Sequence, residues 1–188
     1  MKSLKVNKLC SLFVILLLTS AHLISAESPT AGSELEVQFV PPAGWRFAEK
    51  QEELKSVQLI VVGKGSHEFP PSINLSTEKY TGTLKDYLKI VKSLNEKQGS
   101  QWKDLGSIQT EAGPASLSQI DMKTSWGEVR EMHVILSKNQ MIYILTAAAL
   151  KEEFPKFYKD FFQAMRSLKI NKTVVEIDSK SLVSNDKS

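Results

Sequence analysis

Met141-Ile142-Tyr143-Ile144-Leu145-Thr146-Ala147-Ala148 is the stretch on which the fold turns. Its first five residues are apolar on both alternations, so each side of the pleat presents apolar side chains. A strand at the surface of a sheet alternates apolar with polar, whereas one covered on both faces does not. This predicts a central β-strand over 141–148 with another layer packed on each side.

The flanking sequence agrees. Upstream, Ser137-Lys138-Asn139-Gln140 reads as a hairpin connection to a strand over Gly127–Leu136. Ser125-Trp126-Gly127 reads as a second, leading back to a strand over Ala115–Met122, so the three strands form an antiparallel meander. Leu117 falls out of phase with Ile120 and Met122, which leaves the register of that strand open. Asp104–Thr110 precedes it as a further strand. Downstream, Phe154, Phe157, Tyr158, Phe161, Met165 and Leu168 are spaced as one buried helical face, predicting a helix from about Glu152 to Ser167. Glu152 and Glu153 favour its N-terminal end, and Pro155 is tolerated in its first turn.

A second amphipathic helix is expected from Thr83, as cap, to about Lys97, with Asp86 three residues after the cap. Leu84, Tyr87, Leu88, Val91 and Leu94 form its apolar face, while Lys85, Lys89, Lys92 and Glu96 face water and Gly99 ends it. Nearer the start, Leu35–Val40 is a strand halted by Pro41-Pro42, and Val57–Val62 and Ser72–Ser76 are two more. Two amphipathic helices and a largely antiparallel sheet give a layered α+β domain. With the central strand covered twice, one helix packs on each face, which makes an α/β/α sandwich.

The first 26 residues carry a different signal. Lys2, Lys5 and Lys8 precede an apolar run from Leu9 to Leu18, and small residues follow up to Ala26. That order is a secretory signal peptide, cut after Ala26 or, as the alternative, after Ala21. The apolar run of about 10 residues falls short of the ~20 that a membrane-crossing helix needs, so no stable membrane anchor is expected. Cys10 lies before the apolar run rather than at the cut, where a lipidated cysteine would have to be. The chain is therefore expected to be exported, periplasmic or secreted after signal cleavage. Residues 27–34 read as a polar leader, 35–170 as one domain, and 171–188 as a polar flexible tail with a short strand near Thr173–Ile177.

Losing the signal changes the charge. The chain has 24 Lys and Arg against 21 Asp and Glu, and the signal holds three of the lysines and no acid. The excess of positive charge thus belongs to the targeting segment, and no basic patch interleaved with aromatics remains to bind nucleic acid. Cys10 is the only cysteine, so the exported part depends on its core rather than on disulfides. This leans toward a bacterial periplasm.

Several of these segments also carry a resemblance. Pro41, Pro42, Gly44 and Trp45 lie near the first strand, and Thr83-Leu84-Lys85-Asp86-Tyr87 opens the mid-chain helix. Then come the Gly127 hairpin, the strand Ile142-Tyr143-Ile144-Leu145-Thr146-Ala147, and a closing helix with Phe154, Phe157-Tyr158, Phe161-Phe162 and Met165-Arg166-Ser167-Leu168. Over residues 37–168 this arrangement resembles the PsbP/Mog1-like α/β/α sandwich superfamily, including bacterial periplasmic members of the DcrB-like kind. The resemblance implies that fold, and a role in binding and assembly rather than a shared catalytic centre.

Chemistry-bearing residues are sparse. His67 and His133 are the histidines outside the signal. His67 sits in Gly63-Lys64-Gly65-Ser66-His67-Glu68, which has neither a G-x-S-x-G elbow nor the spacing of a phosphate loop, and it reads as a surface loop. Glu131 and His133 share one face of a strand, with Met132 and Val134 on the other. Glu128 or Asp121 would complete a weak surface metal site, but the simpler expectation is an exposed strand face. No catalytic set, cofactor or metal site is therefore assigned.

Aromatic side chains supply the candidate surface. Trp126 stands at a hairpin tip, a costly place for an indole unless it packs back or meets a partner. The leading expectation is a non-enzymatic protein that binds a protein or peptide partner through one sheet end, as an assembly factor or chaperone. The alternative is a periplasmic carrier of a small apolar molecule or lipid, with its pocket between the mid-chain helix and the sheet near Tyr80, Tyr87 and Trp102.

Overall fold

The computed structural model describes residues 35–48 and 56–172. The signal segment, the leader and the strand expected near 173–177 lie outside them. Seven strands form one sheet in the order β2-β3-β4-β8-β7-β6-β5, with every neighbouring pair antiparallel. Their spans are β2 Arg46–Phe47, β3 Val57–Val62, β4 Ser72–Lys79, β5 Gln101–Thr110, β6 Gly113–Thr124, β7 Gly127–Lys138 and β8 Met141–Leu150. Helix α1 spans Leu84–Lys97 and α2 spans Phe154–Arg166. A separate two-stranded sheet pairs β1 (Leu35–Gln38) with β9 (Lys169–Lys172).

Strand β8, which contains the opening stretch, is the middle strand of the seven. Its alternation divides two cores. Tyr143, Leu145, Ala147 and Ala149 pack with Val134 and Leu136 of β7 against Phe154, Phe161, Ala164 and Met165 of α2. Ile142 and Ile144 pack with Ile135 against Tyr87 and Val91 of α1. One helix therefore lies on each face, as expected. The α2 core is the larger: Trp45 meets Phe157 and Phe161 edge-on at 6.2 and 5.8 Å, and Phe154 lies 4.9 Å from Phe161. Burying one such ring contributes roughly 1.5–3 kcal/mol.

Local chemistry sets the ends of the helices. Thr83 Oγ1 accepts from the Asp86 backbone N–H and donates to the Asp86 carboxylate at 2.7 Å, closing the start of α1. Gly99, with φ +76, terminates it. Helix α2 has no side-chain cap and relies on Pro155 in its first turn.

Some expectations are corrected. Leu117 is out of phase with Ile120 and Met122 because β6 is covered on both sides: Leu117 belongs to the α2 core, and Ile120 pairs with Glu131 on the α1 face. Tyr158 was expected to be buried but is 49% exposed, stacked on Phe162 at 4.4 Å along the outer side of α2. Residues 171 and 172, placed in a flexible tail, complete β9, because Leu35–Gln38 supplies a partner that local sequence does not announce. His133 was expected near solvent and is only 9% exposed.

Candidate functional site

The end of the sheet where β7 begins and β8 stops carries a pocket bounded by the β6–β7 hairpin and the turn before α2. The β6–β7 hairpin is tied internally: Thr124 Oγ1 accepts from the Trp126 N–H at 3.1 Å and donates to the Gly127 carbonyl at 2.9 Å. Gly127 has φ +120, a region that favours glycine, so the tip turns without strain. Trp126 folds back rather than standing free. Its ring lies 5.7 Å from Phe69, beside Val129, Ala148 and Leu150. Part of the indole stays accessible, walling an open pocket of about 410 Å³ lined by Trp126, Gly127, Glu128, Leu150, Lys151 and Glu152.

Ionic and backbone contacts fix this corner. The Lys151 N–H donates to the Glu128 carbonyl at 2.8 Å, holding the end of β8 to β7. Its Nζ meets Glu128 at 3.0 Å and Asp121 at 3.2 Å. Arg130 donates to both oxygens of Asp121 at 2.7 Å and lies over the Phe154 ring. Those hydrogen bonds, from Arg130 above all, hold the Asp121 carboxyl below the usual aspartate range.

The β3–β4 loop closes the other side. The Ser66 N–H donates to Glu153 Oε1 at 3.3 Å, and His67 lies 3.3 Å from Glu152. His67 is thus an exposed partner of an exposed carboxylate. Phe69, two residues further on, is 1% exposed and is what seats the loop under Trp126. The sequence reading passed over it, although an aromatic directly before Pro70-Pro71 in a polar loop was the available signal.

Tyr80, Tyr87 and Trp102 do come together, at the opposite end of β8 from Trp126. Tyr80 and Tyr87 pack edge to face at 5.2 Å, and with Trp102 they join Ile135, Ile142 and Ile144 beneath α1. Burial pushes the Tyr87 phenol far above its usual value, and the nearby Glu78 carboxylate adds to the rise. The Tyr87 hydroxyl is buried, with the Glu78 carboxylate as its polar neighbour.

Between the two aromatic clusters, on the same face, lie Glu131 and His133, at the two β7 positions separating Val129 from Ile135. His133 Nε2 and Glu131 Oε2 share a hydrogen bond of 2.9 Å, with Ser118 and Thr146 opposite His133 on the flanking strands. Ser118 Oγ and Glu131 Oε1 are buried and unpartnered. Serine, histidine and glutamate thus share one face, yet Ser118 makes no hydrogen bond to His133 and is 1% exposed, so no poised nucleophile results. The strand face expected to be exposed is buried at Glu131 and His133, and Asp121, paired with Arg130, lies on the α2 face away from them. Among the described residues no three His, Cys, Asp or Glu side chains are placed to hold a metal ion.

Comparison with known proteins adds the fold. No family model matches the chain, and no curated protein matches it. Its structure is similar to that of LpqN, involved in cell envelope biogenesis of Mycobacterium tuberculosis: TM-score 0.53, 14% identity, over 75% of this chain and 86% of that one. It is also similar to PA94 of Pseudomonas aeruginosa, with TM-score 0.51 and 15% identity over 80% and 92% of the two chains. Cyanobacterial PsbP from Synechocystis aligns over 79% of this chain and 99% of its own at TM-score 0.47 and 9% identity. The chain thus shares its fold with LpqN and PA94, and its largely antiparallel seven-stranded sheet with one helix on each face is the expected α+β sandwich.

Proposed function

We propose that this is an exported, non-enzymatic protein that binds a protein or peptide partner through the sheet end built around Trp126, in the manner of an assembly factor or chaperone. The observation that carries this reading is the open pocket at that end, with an indole wall braced from behind by Phe69 and a rim of charged side chains. A rigid, half-accessible tryptophan framed by polar groups is the usual form of an interface anchor, because it offers a large area at little entropic cost. Export rests on the pattern of residues 1–26, and the envelope role named for LpqN enters as a comparison of fold alone. A photo-crosslinking residue at Ser125, in cells of the native host, tests the reading. Discrete adducts from Ser125, with none from the same residue at Lys103 in edge strand β5, are expected. Adducts from Lys103 alone, or from neither, contradict it.

A second reading, a carrier of a small apolar molecule or lipid, draws on the seam beneath α1. Asn95 Oδ1 is buried at α1 without a hydrogen-bond partner, and Tyr80, Tyr87 and Trp102 line an apolar wall under the same helix, which is how ligand pockets are commonly lined. Native mass spectrometry of protein purified from its host decides this: a bound small molecule supports the carrier, and a clean apo mass removes it.

A further inference from the structure

We infer that the Trp126 pocket receives a cationic side chain, a lysine or arginine presented by the partner. The inference rests on the peptide-binding reading and names the chemistry recognised there. The pocket has one aromatic wall, Trp126, an apolar floor at Leu150, and two acidic side chains at its rim, Glu128 and Glu152. Indole is the best of the aromatic faces for a cation.

The distribution of charge around the pocket decides the sign. Lys151, the cation that lines it, is held by both Glu128 and Asp121. Arg130 is engaged by both oxygens of Asp121. Lys123 faces Glu128 across the β6–β7 ladder, outside ion-pair distance. Glu152 is different. Its ion partner among the described residues is His67, and its side chain is 71% exposed. Among the described residues this carboxylate has no lysine or arginine of its own, and it lines the same pocket as the Trp126 indole. An acidic side chain would be repelled by Glu152, and an apolar one would strip water from it without replacing that interaction. A lysine or arginine satisfies both walls, laying its methylenes on Leu150 and its charge between Trp126 and Glu152.

The test is an NMR titration of the purified protein with three blocked Gly-Gly-X-Gly-Gly peptides at millimolar concentration, where X is lysine, N-acetyl-lysine or glutamate. The lysine peptide is expected to shift the Trp126 indole N–H resonance and to bind at least about 3-fold more tightly than its acetylated form. Glu152→Gln, an exposed substitution that leaves the core untouched, is expected to weaken the lysine peptide about 2- to 5-fold and leave the acetyl-lysine peptide unchanged. Equal binding of all three peptides at Trp126 would overturn the cationic preference and leave the peptide-binding reading standing. Shifts that map to a different surface would overturn the assignment of the pocket, and no shift with any peptide would overturn the peptide-binding reading itself.

Discussion

His133 Nε2 lies 2.9 Å from Glu131 Oε2, and the two side chains are buried together in the middle of the sheet face beneath α1. The pair sits two residues apart on β7, so the pleat itself aligns them. Burying a carboxylate is costly unless it is hydrogen-bonded, and His133 is the partner the structure supplies to Glu131.

His133→Ala is therefore expected to destabilise the fold by about 1–3 kcal/mol, because it leaves the Glu131 carboxylate buried with neither oxygen bonded. The double variant Glu131→Met/His133→Leu removes both polar groups and is expected to recover most of that loss. Urea unfolding of the three proteins measures this. A His133→Ala protein as stable as the parent would show that water satisfies the carboxylate.

Asp121 supports the corner on which the pocket is built. Asp121→Asn removes one of the two hydrogen bonds from Arg130 and the charge assistance of the other, and is expected to cost about 1.5–3 kcal/mol at neutral pH. Because the folded-state pKa of Asp121 is depressed, its contribution is complete above the ordinary aspartate pKa of about 3.9 and is lost as pH falls through the lower folded value. Melting temperatures of parent and variant should thus differ at pH 7 and converge on acidification below about pH 4. A difference that stays constant across that range would place its origin in packing rather than charge.

The β7–β8 hairpin carries a local conflict. Asn139 and Gln140 both have positive φ, at 52° and 59°, as a two-residue type I′ turn requires, and the second position favours glycine. Gln140 is exposed and its backbone carbonyl accepts from the Tyr80 N–H, a contact any residue can keep. Gln140→Gly is expected to stabilise the protein by about 0.5–1 kcal/mol by removing left-handed strain. A fall in melting temperature would mean that the Gln140 side chain makes a compensating contact.

Much of this fold was legible in the sequence, and the reasons are specific. The five apolar residues from Met141 placed β8 at the centre because only a doubly covered strand dispenses with alternation. The spacing of Phe154, Phe161 and Met165 marked the buried stripe of α2 for a similar reason. Tyr158 was misplaced because the apolar stripe was drawn too wide: Phe154, Phe161 and Met165 bury the face of α2 turned to the sheet, and Tyr158 stacks on Phe162 outside it. His133 was misjudged because polarity was taken to mean solvent, whereas the interior of a wide sheet can hold a polar pair provided its members bond each other. Of the aromatic candidates, Tyr80, Tyr87 and Trp102 converge and Trp126 stands apart. The partner that seats Trp126, Phe69, lies more than fifty residues earlier, and no local pattern links them.

The most direct measurement of the central claim is the affinity of the partner captured at Ser125 for the parent protein and for Trp126→Ala. Circular dichroism and melting curves confirm that the variant remains folded. Removing an anchoring tryptophan from an interface typically costs about 2 kcal/mol or more, so at least about a 30-fold loss of affinity is predicted while the sheet and both helices persist. An unchanged affinity in a folded Trp126→Ala protein would contradict partner binding at this end of the sheet.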